Sequence, residues 1–187
     1  MKLISGNGAL VSSINDWYTL DIGFSSSRPS CGAFRSDTGK TSSMFYGDLA
    51  RDILEFVNGR NRAGLIVEAP LSYSFDSKGN PCGRSFEKQG AKTRYWFAGL
   101  GCAVMSAALF LLLQLHQNQT RGEIVLFEGF VSFKGSLTNH EDDARALFEK
   151  RNTVLDADGI RSAQTSSLVG ITYVFGGTSE APGVIIC

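Results

Sequence analysis

The sequence predicts an α/β domain, a mixed five-stranded sheet flanked by helices, with a short β-like extension at the C-terminus. Three observations predict it. The runs Leu65-Ile66-Val67 and Ile124-Val125-Leu126-Phe127 are apolar without alternation, as strands buried on both faces are. Helical patterns separate these later strands, and such crossovers join parallel neighbours. The first third instead carries short β-like runs divided by turn residues, the pattern of an antiparallel meander.

The elements follow in order. A strand over 16–24 ends in the turn Ser25-Ser26-Ser27-Arg28-Pro29-Ser30, and 31–35 reads as the returning strand. The turn Asp37-Thr38-Gly39-Lys40 leads to a third strand over 42–46. A helix over 48–57 places Leu49, Ile53, Phe56 and Val57 on one face, and Asn58-Gly59 stops it. The fourth strand spans 64–69, a long loop covers 72–93, and a fifth strand spans 123–130. Between the last two lies an uncharged helical stretch over 97–113, and a final helix covers 139–147. Beyond Arg151 the pattern weakens: a turn at 156–159, then β-like runs over 167–175 and 183–187. These runs suit a terminal hairpin on the sheet edge or a homo-oligomer interface. The reading divides the chain into a domain over 1–151 and an extension over 152–187 packed on it.

Composition narrows the class. The chain has 187 residues, 43% hydrophobic and 19% charged, enough for one domain with a full core. Lys plus Arg and Asp plus Glu are 18 each, so no global field draws in nucleic acid and binding must use a local patch. Cys31, Cys82, Cys102 and Cys187 show no metal-ligand spacing, and MKLISGNGAL has no long apolar core. The expectation is free thiols in a cytoplasmic protein. The stretch 97–113 approaches the length of a membrane span. Small residues interrupt it, polar residues follow it, and a span would put the strands before and after it on opposite sides of a bilayer. A buried core helix and no membrane contact are expected.

Chemistry is carried by acids. Asp21 lies in Tyr18-Thr19-Leu20-Asp21-Ile22-Gly23-Phe24, Glu68 ends Leu65-Ile66-Val67-Glu68, and Asp143 lies on the last helix. A carboxylate beside a buried strand is costly unless paired or metal-bound. Three on separate elements point to a convergent site for a hard cation, Mg²⁺ or Mn²⁺. On the last helix, 100° per residue puts His140, Ala144, Leu147 and Phe148 on the buried arc, with Asp143 flanking it. Asp142 points outward with Arg145 and Glu149, where a first-turn acid favours the helix dipole. His140 suits a further ligand or a proton shuttle. Asp142 and Glu128, at the end of the fifth strand, are the supporting candidates behind the ligands.

Asp21-Ile22-Gly23, Ile66-Val67-Glu68-Ala69-Pro70 and His140-Glu141-Asp142-Asp143-Ala144, in a β-β-β-α-β-α-β-α order, resemble the ribonuclease H-like superfamily. Within it they resemble RuvC-type nucleases and a related microbial ribonuclease H-like family, over about 16–150. The resemblance implies a nuclease that hydrolyses phosphodiester bonds with two metals. Lys78, Arg84, Lys88, Lys92 and Arg94 cluster in and after the long loop among Tyr73, Phe75, Phe86, Tyr95 and Trp96. Cations interleaved with aromatics suit phosphate neutralisation and base stacking, so nucleic acid is the expected partner. Two alternatives compete. One is a non-catalytic interaction module on the same fold. The other is an actin-like or sugar-kinase-like nucleotide-binding domain, through Asp21-Ile22-Gly23-Phe24-Ser25-Ser26.

Overall fold

The computed structural model describes residues 2–94, 98–118, 122–133, 138–156, 167–170 (backbone only) and 181–187. The meander comprises β2 (Trp17–Asp21), β3 (Cys31–Arg35) and β4 (Lys40–Met44), after β1 (Lys2–Ser5) and the short helix α1 (Gly8–Val11). A 3-10 turn (Tyr46–Asp48) leads into α2 (Leu49–Val57), followed by β5 (Arg62–Glu68). The segment expected to be a loop forms two hairpins, β6 (Ser72–Phe75) with β7 (Pro81–Cys82), and β8 (Lys88–Gln89) with β9 (Lys92–Thr93). Then come α3 (Leu100–Gln117), β10 (Glu123–Phe130), α4 (His140–Glu149), β11 (Val154–Leu155), β12 (Ser167–Gly170) and β13 (Val184–Ile186).

The fold is α/β with a mixed sheet of eight strands among the described residues, wider than the five expected. Its order is β11-β13-β10-β5-β2-β3-β4, with β1 also on β10. β2, β5, β10 and β13 are parallel, and the meander and β11 are antiparallel. β1 and β13 share one edge of β10, β1 along Glu123 to Leu126 and β13 along Glu128 to Phe130. The Gly6 amide donates to the Leu126 carbonyl and the Gly183 amide to the Gly6 carbonyl, which splices the two strands end to end.

The two C-terminal runs do not form the expected terminal hairpin. The runs at 167–170 and 184–186 do not pair with each other: β12 pairs with β6 in a second, small sheet. β13 has β10 on one side and β11 on the other. The turn expected at 156–159 and the β-like run expected over 167–175 extend outside the described residues.

Alternation along the parallel strands divides the core. Tyr18, Leu20, Leu65, Val67, Ile124 and Leu126 face α2 and α3. Trp17, Ile66, Val125 and Phe127 face the opposite layer, which includes Leu147 of α4. α3 is long and apolar enough to cross a membrane, with mean hydropathy 1.6, yet only 22% of it is buried. Ala108, Leu111, Leu112 and Leu115 make its packed face, whereas Phe110 (54% exposed) and Leu113 (40%) lie outward. The expectation of a helix buried all round is therefore corrected: α3 shares one sheet face with α2, and only one stripe of it meets the core.

Candidate metal centre

Sheet register builds the site. Gly32, Asp21, Glu68 and Gly129 are successive partners across β3, β2, β5 and β10. They form one row, and paired residues project from the same face. Two acids thus sit on adjacent strands at the carboxyl ends of β2 and β5, where open α/β sheets place their ligands. Unscreened, two neighbouring carboxylates repel, which favours a cation between them.

The glycines of the row let α4 lie directly on it. A Cβ on Gly32 would overlap the backbone of His140 and Glu141, and one on Gly129 would meet the Leu147 methyls at 2.8 Å. Thr19, two residues before Asp21 on the same face, donates its hydroxyl to the Ala144 carbonyl at 2.5 Å and fixes the helix on β2. Asn139 starts the helix by accepting from the Asp142 amide at 2.8 Å. That phase buries Asp143 and leaves Asp142 exposed, as the helical projection requires.

Asp21, Glu68 and Asp143 each bring a carboxylate oxygen within 4.8 Å of the other two. Asp21 and Asp143 are buried and Glu68 is half-buried. His140 is more exposed than its place on the arc suggests, its side chain 45% accessible, because it opens the helix at the rim. Its Nδ1 lies 2.6 Å from Asp21 Oδ2, and an imidazole protonated there donates to that carboxylate. Thr138 donates its hydroxyl to Asp143 Oδ1 at 2.6 Å. These groups line an open cleft of about 640 Å³ together with Lys92, Thr93, Arg94, Val131, Ser132 and Phe133.

The remaining candidates separate. Lys92 and Arg94 are exposed on the cleft wall, and Lys88 lies on the same small hairpin opposite Thr93. Lys78 is exposed on another hairpin, in a turn where its amide donates to Asp76 Oδ1. Arg84 corrects the expectation of a phosphate contact, since it is only 3% exposed. Its guanidinium bridges Glu87 at 2.9 Å and Glu128 at 2.8 Å, and donates to Ser72 Oγ at 2.7 Å. Burial pulls Arg84 towards neutrality, but Glu128 and Glu87 outweigh it and hold the guanidinium charged. Two carboxylates share that one cation, so burial pushes Glu128 up.

Glu128 also accepts from the Leu71 amide at 2.9 Å. It alternates with Gly129, so it projects from the opposite side of the sheet to the Asp21–Glu68 row and does not support the ligands. Phe86 packs edge-on against Phe130, with centroids 5.1 Å apart. Tyr95 and Trp96 lie outside the described residues. Sequence reasoning missed Thr138, Ser132 and Phe133. Thr138 was signalled by its place two residues before a helix start, and the other two only by following a buried strand end. No protein-family model, curated protein or solved structure matches the chain.

Proposed function

We propose that the chain is a metal-dependent phosphodiesterase of nucleic acid, built on a ribonuclease H-like arrangement. The observation that carries this reading is the convergence of Asp21, Glu68 and Asp143 inside a cleft edged by Lys92 and Arg94. The donor set fits the ion. Opposed oxygens on one hard divalent cation are about 4.2 to 4.8 Å apart, for metal–oxygen distances of about 2.1 to 2.4 Å. The three carboxylate oxygens lie within the upper limit of that span from one another, and all-oxygen ligation suits Mg²⁺ or Mn²⁺ over softer metals.

Asp21, Glu68 and Asp143 would hold the ion. When bound, it supplies Lewis acidity and lowers the pKa of water. The other residues bind and orient. His140 and Thr138 each hold one carboxylate oxygen, of Asp21 and Asp143, which fixes the direction of the remaining lone pairs. Lys92 and Arg94 offer charge to a phosphate that the carboxylates alone would repel. An interaction module would need none of this, because two adjacent acids and a buried third only weaken a fold that holds no cation.

The test is thermal. Mg²⁺ or Mn²⁺ at a hundredfold excess over Kd should stabilise the protein by about 2.7 kcal/mol, since only the folded state assembles the site. Asp21→Asn should abolish the shift, and metal-dependent cleavage of oligonucleotides should vanish with it. An unchanged melting curve in millimolar Mn²⁺ would sink the reading.

A further inference from the structure

We propose that Phe133 is a stacking platform for an unpaired base, so that the cleft takes single-stranded nucleic acid. This rests on the reading above and names its substrate class. Phe133 has φ 63, the one positive-φ residue other than glycine among those described. An aromatic side chain rarely adopts that backbone conformation, and such strain gathers where surrounding structure enforces it for ligand binding.

The ring is braced from behind and open to the site. Phe130 stands 6.1 Å from it, centroid to centroid, and Phe86 in turn supports Phe130. Phe133 itself is half-buried and lines the same cleft as the carboxylates, Lys92 and Arg94. Its neighbour Ser132 is 7% exposed, lines that cleft too, and its Oγ has no hydrogen-bond partner among the described residues. A buried hydroxyl without a partner calls for one from a ligand or water. A braced aromatic, two exposed cations and an unsatisfied hydroxyl are the parts that grip a base and its phosphate. The cleft volume of about 640 Å³ is of single-ligand scale. A duplex keeps its base faces stacked inward and offers the ring nothing to cover.

The experiment uses the Asp21→Asn protein, which should not cleave, and a ten-nucleotide strand carrying one 2-aminopurine, as DNA and as RNA. Stacking on Phe133 should change the fluorophore's emission on binding. Phe133→Leu should lose that change and bind roughly 5- to 150-fold more weakly, whereas Phe133→Trp retains both. With the protein left alone, an abasic site in place of the base should cost a similar factor, which keeps the test valid if the leucine variant does not fold. The complementary duplex should bind more weakly than either strand. Equal affinity of Phe133→Leu, indifference to the abasic site, or preference for duplex would each overturn the platform while the Mn²⁺ stabilisation of the otherwise unsubstituted chain stands. No binding of either strand would overturn the platform and the nucleic-acid reading together. Stacking without any Mn²⁺ stabilisation would uphold the platform and remove the carboxylate site.

Discussion

Arg84 lies between Glu87 and Glu128 with 2% of its side chain exposed, so its removal leaves two buried carboxylates facing one another. Breaking such a cluster from one side costs about 3–5 kcal/mol, because the stranded charges have no water to turn to. Arg84→Ala should therefore lower the urea midpoint severely, while the exposed Lys88→Ala shifts stability by less than about 0.5 kcal/mol. Equal, small effects in equilibrium denaturation would show that the cluster contributes nothing. Asp37 makes the opposite kind of pair, on the surface, 3.0 Å from both Arg35 and Arg60. The hydrogen bond from Arg35, and then the charges of both arginines, hold its carboxyl below the ordinary value despite partial burial. A depressed folded pKa gives stability that is present above the unfolded value, about 3.9, and is lost as pH falls through the folded one. Urea midpoints followed below about pH 4 should fall more steeply for the native sequence than for Asp37→Asn. Parallel acid limbs would remove Asp37 from the account.

Helix α4 is held at its site by what β3 and β10 lack. Gly32 sits under the His140 carbonyl with no room for a methyl, so Gly32→Ala must lift the first turn of α4 off the sheet. Lifting it withdraws His140 from Asp21 and Asp143 from the cluster. The expected result is a loss of about 1–3 kcal/mol from overpacking, together with loss of Mn²⁺ stabilisation. Gly47→Ala is the control, since a Cβ there meets nothing within 4 Å. Retention of the full metal shift in Gly32→Ala would mean that α4 does not need its present seat. The same helix explains why Asp143 rather than Asp142 was readable from spacing alone. Once Asn139 caps it, 100° per residue decides which of two neighbours turns inward. β1 carried no comparable signal, since four residues, Lys2 to Ser5, are too few to display a period and gain their place only by pairing with β10.

Across the whole molecule, what was legible in sequence is what local pattern determines, and what was not depends on distant partners. The buried parallel strands announce themselves by unbroken apolar runs, and Asp21 and Glu68 by interrupting or ending them. β13 belongs to the main sheet through backbone pairing with β10 and β11, and Gly6 meets Gly183, 177 positions apart on the chain, through a backbone hydrogen bond that no side chain encodes. Arg84 likewise finds Glu128 across 44 positions, and a basic residue among aromatics reads as surface until that partner is known. The placement of the cations therefore redraws the electrostatic footprint. Lys92 and Arg94 edge the carboxylate cleft, whereas Lys78 stands in the turn of a separate hairpin. Each phosphate contact on a single strand contributes about −0.7 to the slope of log affinity against log salt concentration. Removing Lys92 and Arg94 together should reduce that slope by about 1.4. Both are exposed, so the melting temperature should barely change. Lys78→Ala should leave slope and affinity alone. Fluorescence titrations of a labelled single strand over a range of salt concentrations read all three proteins directly. An unchanged slope in the double variant would take the phosphate path away from this wall of the cleft, and a reduced slope in Lys78→Ala would carry it out along the β6–β7 hairpin instead.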